Sequence, residues 1–418
     1  MNFKEFPVQR ILLTAGEIGT PLYYYNADII RRRYASLKSA IPDSWEIYFA
    51  VKANPNVSIL KVFRELGANA ETASAGEIKA ARKARFNWRQ MALSGPVKGE
   101  HELDAIGKSN LFMVHVESRD ELVRLNSLPR KRGGQNIALR INPDFSLDAG
   151  KGSVMIGGRE KFGFSTKEAA SILKERETFN NLNFKGFHLY MGTQILSAEK
   201  WVKSAESFLE LVVGMSVKSG FEPSYVDFGG GLGIPYREGE KEFDLRRFGD
   251  RLKKMTQRFD KHSVLRNTKY HIEPGRFLIG PAGVYVMRVT SLKKIRSEHF
   301  ALTDGGVHHA LFPFRITREH PVKILNRKGS GKKMKYILGG PLCTTLDQSE
   351  LPVTLPELKV GDLLGIFNAG SYGYTASLPL FLSHPLPAEV LGERGSDILI
   401  RKPSTDSHIF RDQVFREI

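Results

Sequence analysis

The amino-acid sequence predicts an α/β fold, a closed parallel (β/α)8 barrel followed by an antiparallel β domain. Three observations carry that expectation. Eight short strand-like runs alternate with longer helical stretches over residues 27–276. A length of 418 residues with 41% hydrophobic content is enough for one large core and one smaller one. After Arg276 the helical periodicity stops, and short β-rich segments separated by Gly and Pro follow. An open doubly wound sheet meets the same alternation and stands as the alternative architecture.

In chain order, the opening stretch 1–26 ends in Leu22-Tyr23-Tyr24-Tyr25, a strand able to pair with the C-terminal sheet. The barrel strands are expected at 46–52, 68–73, 90–94, 111–116, 136–141, 184–190, 225–228 and 270–273. Amphipathic spacing predicts helices such as 58–66, 75–84, 99–106 and 200–219 between them. The β-rich segments beyond lie at 283–289, 335–337, 362–366 and 397–400. The expected division is therefore a barrel over 27–276 and a β domain made of 1–26 with 277–418.

Composition narrows the function classes. Charged residues at 26% are ordinary for a soluble globular protein, and no uncharged apolar run approaches bilayer length. The first residues, with Lys4, Glu5 and Arg10 around a short apolar patch, do not read as a secretory signal. A single cysteine, Cys343, excludes an intramolecular disulfide and fits a reducing compartment, so a cytoplasmic protein is expected. The net charge of +17 and a pI near 9.7 favour anionic partners. The cations are scattered, with local clusters at Arg31-Arg32-Arg33, Arg130-Lys131-Arg132 and 327–335. None has interleaved aromatics or a nucleic-acid motif, so no nucleic acid and no membrane partner is expected.

In a βα barrel the chemistry collects at the C-terminal ends of the strands. The first strand closes on Lys52, an amine nucleophile if its pocket is partly desolvated. The alternative is a strand-end lysine reaching water. The seventh strand runs into Gly229-Gly230-Gly231, whose N–H groups can surround a phosphate or merely form a tight turn. The eighth ends in Glu273-Pro274-Gly275-Arg276, either a surface pair or groups addressing opposite ends of one ligand. A lysine, a glycine cradle, an acid and an arginine together are what pyridoxal 5'-phosphate needs. Glu273 would keep the pyridine nitrogen protonated, so that the ring can accept electrons as carbon dioxide departs.

These residues and several further motifs resemble the fold-type III pyridoxal-phosphate decarboxylases, which include diaminopimelate, ornithine and arginine decarboxylases. The resemblance covers almost the whole chain. It rests on Phe49-Ala50-Val51-Lys52-Ala53-Asn54, Ala73-Ser74-Ala75-Gly76-Glu77, Lys161-Phe162-Gly163, Gly192-Thr193-Gln194 and the two motifs above. Gly340-Pro341-Leu342-Cys343, Gly370-Ser371-Tyr372-Gly373 and Pro387-Ala388-Glu389-Val390 follow in the family's order. It implies an alanine-racemase-like barrel and a homodimer with shared active sites. It makes Lys52 the Schiff-base lysine and gives the phosphate to Gly230, Gly231, Arg276 and Tyr372 with Thr193, beside Gly275. Cys343, as the acid that protonates the carbanion, and Tyr372 would come from the partner subunit. Asp304 and Thr344 fall where relatives contact substrate, as does Tyr372. No metal is implied.

Three departures from the family pattern bear on the substrate. Tyr190 replaces the histidine that commonly stacks on the cofactor ring, with His188 two residues earlier on the same expected strand face. Relatives that take diamino acids carry an acid directly after the cysteine, where this chain has Thr344. Burying a distal ammonium without an anion costs several kcal/mol, unless Asp304 or Asp347 compensates. Finally, Val307-His308-His309-Ala310 replaces an Arg-Pro motif of diaminopimelate decarboxylases. The combination resembles a biosynthetic branch whose substrates include aminoacyl groups tethered to an acyl carrier protein. Free diamino acids are the alternative substrates. An amino-acid racemase of the same fold, with arginine rather than Glu273 at the ring nitrogen, and a non-catalytic pyridoxal-phosphate protein, a lone barrel, are the alternatives of other classes.

Overall fold

The computed structural model describes residues 5–129, 133–143, 161–237, 239–315, 319–329, 332–405 and 407–416. The cluster Arg130-Lys131-Arg132 and part of 327–335 lie outside these described residues. The chain divides into two compact units. One gathers the chain up to Arg33, the segment Pro235–Glu240 and the chain from Leu278; the other comprises Tyr34–Ile234 and Lys241–Phe277.

In chain order the strands begin with β1 (Leu22–Asn26) in the first unit. The second unit contributes β2 (Trp45–Ala50), β3 (Asn69–Thr72), β4 (Met91–Leu93), β5 (Met113–Val116), β6 (Gln135–Asn142), β7 (Phe164–Ser165), β8 (Leu182–His188), β9 (Tyr225–Asp227) and β10 (Lys269–Ile272). Pairing runs β5-β4-β3-β2-β10-β9-β8-β6, and β5–β6 closes the ring, so eight parallel strands form a barrel with β7 outside the circle. This is the closed architecture, not the open sheet. All eight expected strands are present, each within two or three residues of its expected bounds.

The helices between them start where the sequence offers caps. Ser74, Ser118 and Ser165 each accept the N–H of a glutamate three residues on, at 3.2 Å, and Asp244 accepts that of Arg247 at 2.9 Å. Each such cap contributes about 1 kcal/mol. Ser74 and Ser118 stand two residues past β3 and β5, so these two caps fix where the chain leaves the barrel mouth. Inside, Tyr48, Ala92, Met113, Ala138 and Tyr225 alternate large and small side chains in one packed layer.

The first unit is a sheet of β1 with β11 (Gly283–Ile295), β12 (Glu298–Thr303), β13 (Val322–Ile324), β14 (Lys333–Gly339), β15 (Val353–Pro356), β16 (Leu363–Phe367), β17 (Ala388–Glu393) and β18 (Ser396–Arg401). Most of its ladders are antiparallel; β1–β17 and β12–β14 are parallel. The opening strand pairs with β11, as its position anticipates. Pro235–Glu240 joins this sheet rather than the barrel for visible reasons. The Asn368 side chain donates to the Pro235 carbonyl at 2.8 Å, and the Tyr236 ring packs 4.4 Å from His320. No helix of the described residues is long and apolar enough to cross a membrane.

Candidate active site

At the C-terminal ends of the barrel strands, polar side chains replace the apolar core. Lys52 lies on a single 3₁₀ turn, Val51–Ala53, just past β2. Its side chain is 41% exposed and its Nζ donates to Glu71 Oε2 at 2.6 Å. The expected desolvated lysine is therefore corrected. The amine is reached by solvent and held by a charge, because β3 aims the fully buried Glu71 at it. Glu71 Oε1 has no hydrogen-bond partner among the described residues. Behind it, burial first and the Glu71 charge second push the carboxyl of Glu77 up to about 7.

Glu273 follows β10 and is buried, as is Arg276, so the pair is not a surface ion pair. Glu273 Oε2 sits 3.5 Å from His188 Nε2, and Oε1 sits 3.7 Å from His115 Nδ1. Oε1 has no hydrogen-bond partner among the described residues. Burial, reinforced by the charges of Asp227 and Glu71, holds this carboxyl well above the usual range, while Lys52 and Arg140 pull it back. Burial likewise keeps His115 and His188 well below the ordinary histidine range, so both rings are neutral.

His115 and His188 stack on each other, centroids 4.0 Å apart and 7° from parallel. One face of His188 is thus already covered inside the barrel. Tyr190 is not on the same strand face, because β8 ends at His188. It lies half-buried in the following loop, against the backbone of Gly229. His115, His188 and Glu273 also bring one possible metal-binding atom each within 4.8 Å. Both His115 nitrogens already serve Ser94 (2.9 Å) and Tyr225 (2.8 Å), which leaves a metal only two donors.

The glycine loop is a tight backbone cradle. Gly231 has φ +93°, and a Cβ on Gly230 would sit 2.6 Å from the Glu273 carbonyl. The Gly229 and Gly231 carbonyls accept from Glu273 and Ile195 (both 2.8 Å), and that of Gly230 from the Trp201 indole (3.0 Å). Among the described residues the N–H groups of Gly230 and Gly231 have no acceptor. Thr193, half-buried, precedes Gln194, whose amide brackets the Ile234 backbone and ties that loop to the cradle. Across the mouth, a Cβ on Gly275 would meet Ala53 Cβ at 2.8 Å. Only glycine lets the Arg276 turn approach the Lys52 turn so closely.

Asp304, Cys343, Thr344 and Tyr372 belong to the other unit. Cys343 is exposed, and Thr344 and Tyr372 are half-buried. Tyr372 has φ +53°, and its ring lies 5.6 Å from Phe312. Asp304 accepts from the Thr20 hydroxyl (2.5 Å) and the Arg288 N–H (2.8 Å). Asp347 is buried and accepts from the Val307 and Leu342 N–H groups at 2.6 and 2.7 Å. Both carboxylates are engaged in holding loops of their own sheet.

Sequence reasoning missed Glu71, His115, Tyr225 and Asp227. The available signal was polar residues at inward positions of otherwise apolar strands, as in Met113-Val114-His115-Val116. Three features of the barrel mouth fit pyridoxal phosphate: a buried acid with one oxygen, and two N–H groups, that have no hydrogen-bond partner among the described residues, and a partly exposed amine. They match the ring nitrogen, the phosphate and the aldehyde.

Comparison with known proteins agrees. The family model described as "Pyridoxal-dependent decarboxylase, pyridoxal binding domain" matches residues 27–280. An "L-glutamyl-[BtrI acyl-carrier protein] decarboxylase" of Niallia circulans is 33% identical over 407 residues, 95% of this chain and 94% of that protein. A diaminopimelate decarboxylase of Aquifex aeolicus is 35% identical over 400 residues, covering 94% and 92% of the two chains. The crystal structure of a Helicobacter pylori diaminopimelate decarboxylase complexed with L-lysine superposes with a TM-score of 0.86. It is 25% identical and covers 96% of this chain and 98% of that one. This chain belongs to the fold-type III pyridoxal-phosphate-dependent amino acid decarboxylases.

Proposed function

We propose that this decarboxylase acts on an aminoacyl group carried by an acidic carrier protein, in the cytoplasm, as a homodimer whose partner supplies Cys343, Thr344 and Tyr372 to each barrel mouth. Lys52 is the amine that carries the cofactor covalently. Gly230, Gly231, Thr193, Arg276 and Tyr372 hold its phosphate, with Gly275 giving them room, and Tyr190 rather than His188 covers the ring. Glu273 holds the proton at the ring nitrogen. Once bound, the cofactor supplies an electron sink conjugated to the substrate's α-carbon. Glu71 would hold the Lys52 ammonium, as it does here at 2.6 Å, whenever that amine is free of the cofactor. Cys343 Sγ–H delivers the proton that replaces carbon dioxide.

The observation that carries the substrate assignment is Thr344 directly after Cys343, with the two acids that could compensate, Asp304 and Asp347, already engaged. Thr344 is neutral, and Asp304 and Asp347 already hold chain groups through both oxygens. A distal ammonium would be buried there without an anion, at a cost of several kcal/mol. A tethered substrate avoids this problem. Its leaving carboxylate must be free on Cα, so tethering has to use the side-chain carboxyl, which removes the distal charge. The net charge of +17 suits an acidic carrier, whose approach it would accelerate. The 35% identity to a diaminopimelate decarboxylase favours a second reading, a free diamino acid as substrate.

Carbon dioxide release separates the two when measured side by side on free diamino acids, free glutamate and a carrier-bound glutamyl group. The proposal expects turnover of the carrier-bound group, slowing steeply as salt rises. Faster turnover of a free diamino acid, insensitive to salt, would replace it with the second reading. Thr344→Asp should raise activity on free diamino acids by about tenfold or more, the effect of roughly 1.4 kcal/mol.

A further inference from the structure

Behind Glu273 stands a second buried carboxyl. Asp227, in β9, is fully buried and accepts the Tyr225 hydroxyl at 2.6 Å and the Gly229 N–H at 2.8 Å. The Gly229 carbonyl accepts the Glu273 N–H at 2.8 Å, so one glycine ties the two acids together. Both carboxyls flank the His115 ring: Asp227 Oδ2 stands 3.9 Å from its Nε2 and Glu273 Oε1 stands 3.7 Å from its Nδ1. Two like charges buried this close disfavour each other, so one of the two acids keeps a proton.

We infer that Asp227 is a positioning residue for Glu273: it carries the negative charge of the pair, so that in the cofactor-free chain the one proton the two acids keep resides on Glu273, aimed at the site of the ring nitrogen. The inference rests on Glu273 being the ring acid, as proposed above. The donors decide which acid keeps the proton. Asp227 has two, and hydrogen bonds to the charged form stabilise it. Glu273 Oε1 has none among the described residues, and the two histidine nitrogens nearest its oxygens stand at 3.5 and 3.7 Å. Burial pushes both carboxyls up, which agrees with a proton retained between them. The other groups facing the pair are Lys52 and Tyr48 from the β2 strand and its turn, Glu71 from β3, His115 from β5, Arg140 from β6, His188 from β8 and Tyr225 from β9 itself. Glu273 would give this proton to a bound ring nitrogen and face it as a carboxylate, while the Asp227 charge would stay with the Tyr225 and Gly229 donors.

This arrangement fixes a hydrogen-bond direction that can be read without any cofactor. Tyr225 gives its proton to Asp227, so His115 Nε2 must donate to the Tyr225 oxygen and His115 Nδ1 must accept from Ser94. In Asp227→Asn the amide oxygen keeps Gly229 and the amide NH₂ turns to Tyr225. Tyr225 then donates to His115 Nε2, and the ring proton moves to Nδ1.

The test is ¹⁵N NMR of histidine-labelled, cofactor-free protein, with His115 assigned through His115→Gln. The expected result is an Nε2–H ring in the wild type and an Nδ1–H ring in Asp227→Asn. An Nδ1–H ring in the wild type, or no change in the variant, overturns the inference. With cofactor, Asp227→Asn should lower kcat by about 10–100-fold with KM little changed, the range expected when a charged hydrogen bond to an essential group is lost. Should Asp227→Asn fail to fold, Tyr225→Phe removes one of the two donors. It should lower kcat several-fold and shift the kcat–pH profile; an unshifted profile with wild-type kcat counts against the inference. The ring tautomer is read before any cofactor is added, so its outcome is separate from that of cofactor attachment at Lys52.

Discussion

The two units place their chemistry-bearing residues in opposite ways. In the barrel, Glu71, His115, His188, Asp227, Glu273 and Arg276 are buried, and each lies in the last two residues of a strand or within four residues after it. In the β unit, Cys343 is exposed and Thr344 and Tyr372 are half-buried, on irregular segments between strands. The barrel mouth is therefore preorganised by desolvation and by fixed hydrogen bonds. The β unit presents its polar side chains on loops, and its buried Asp347 holds the Leu342 and Val307 backbone. The contrast teaches that the barrel offers a fixed site for cofactor chemistry, and under the proposed function substrate choice would fall to loops that can vary without disturbing it.

Substitutions can break or sharpen this contrast. The largest expected effect is in Lys52→Ala, which removes the covalent cofactor link and lowers activity by about 10²–10⁴-fold; visible absorbance together with carbon dioxide release checks it. Glu273→Gln should lower kcat by about 10²–10³-fold, the usual cost of losing one preorganised electrostatic partner, while the cofactor stays attached. Glu71→Gln leaves Lys52 without its anion and should cost about tenfold or more in kcat, as when a charged hydrogen bond is replaced by a neutral one. A kcat equal to wild type would remove Glu71 from the machinery. In the β unit, Asp347→Asn should lower unfolding stability by about 1–3 kcal/mol through its two buried N–H partners, and cofactor-free barrel spectra should not change. If it instead abolished cofactor attachment, the contrast between the units would fail.

The smallest expected effect is a pH dependence. The Glu77 carboxyl is raised from its usual 4.5 to about 7 in the folded chain, mainly by burial. A raised carboxyl contributes stability that is fully present below about 4.5 and is lost as pH rises through about 7. Glu77→Gln should match the wild type near pH 4.5 and exceed it by about 1–2 kcal/mol near pH 8 in cofactor-free thermal unfolding.

Much of the barrel was legible because each strand is a short apolar run that ends at a polar or glycine motif, and Ser-x-x-Glu caps mark the following helices. Less of the β unit could be read. The strand β11 runs on to Ile295, but its second half, with Ser291, Lys293 and Lys294, faces solvent and carries no alternation of apolar residues. β12 and β13 are likewise half exposed, and β13 is only three residues long. At the barrel mouth, Lys52, the glycines, Glu273 and Arg276 lie inside contiguous motifs, so the sequence could name them as candidates. Glu71, His115 and Asp227 were not, because their role comes from strands that meet only in the closed barrel. The environment of Lys52 was misjudged for the same reason: a strand-end lysine looks desolvated until the carboxylate of the neighbouring strand is placed against it.

The most direct measurement is borohydride reduction of the protein loaded with pyridoxal phosphate, followed by peptide mapping by mass spectrometry. The expected result is a single reduced adduct on the peptide containing Lys52. An adduct on another lysine, such as the buried Lys98 that pairs with Glu121 at 2.7 Å, or no adduct at all, would contradict the assignment of the barrel mouth as the catalytic centre.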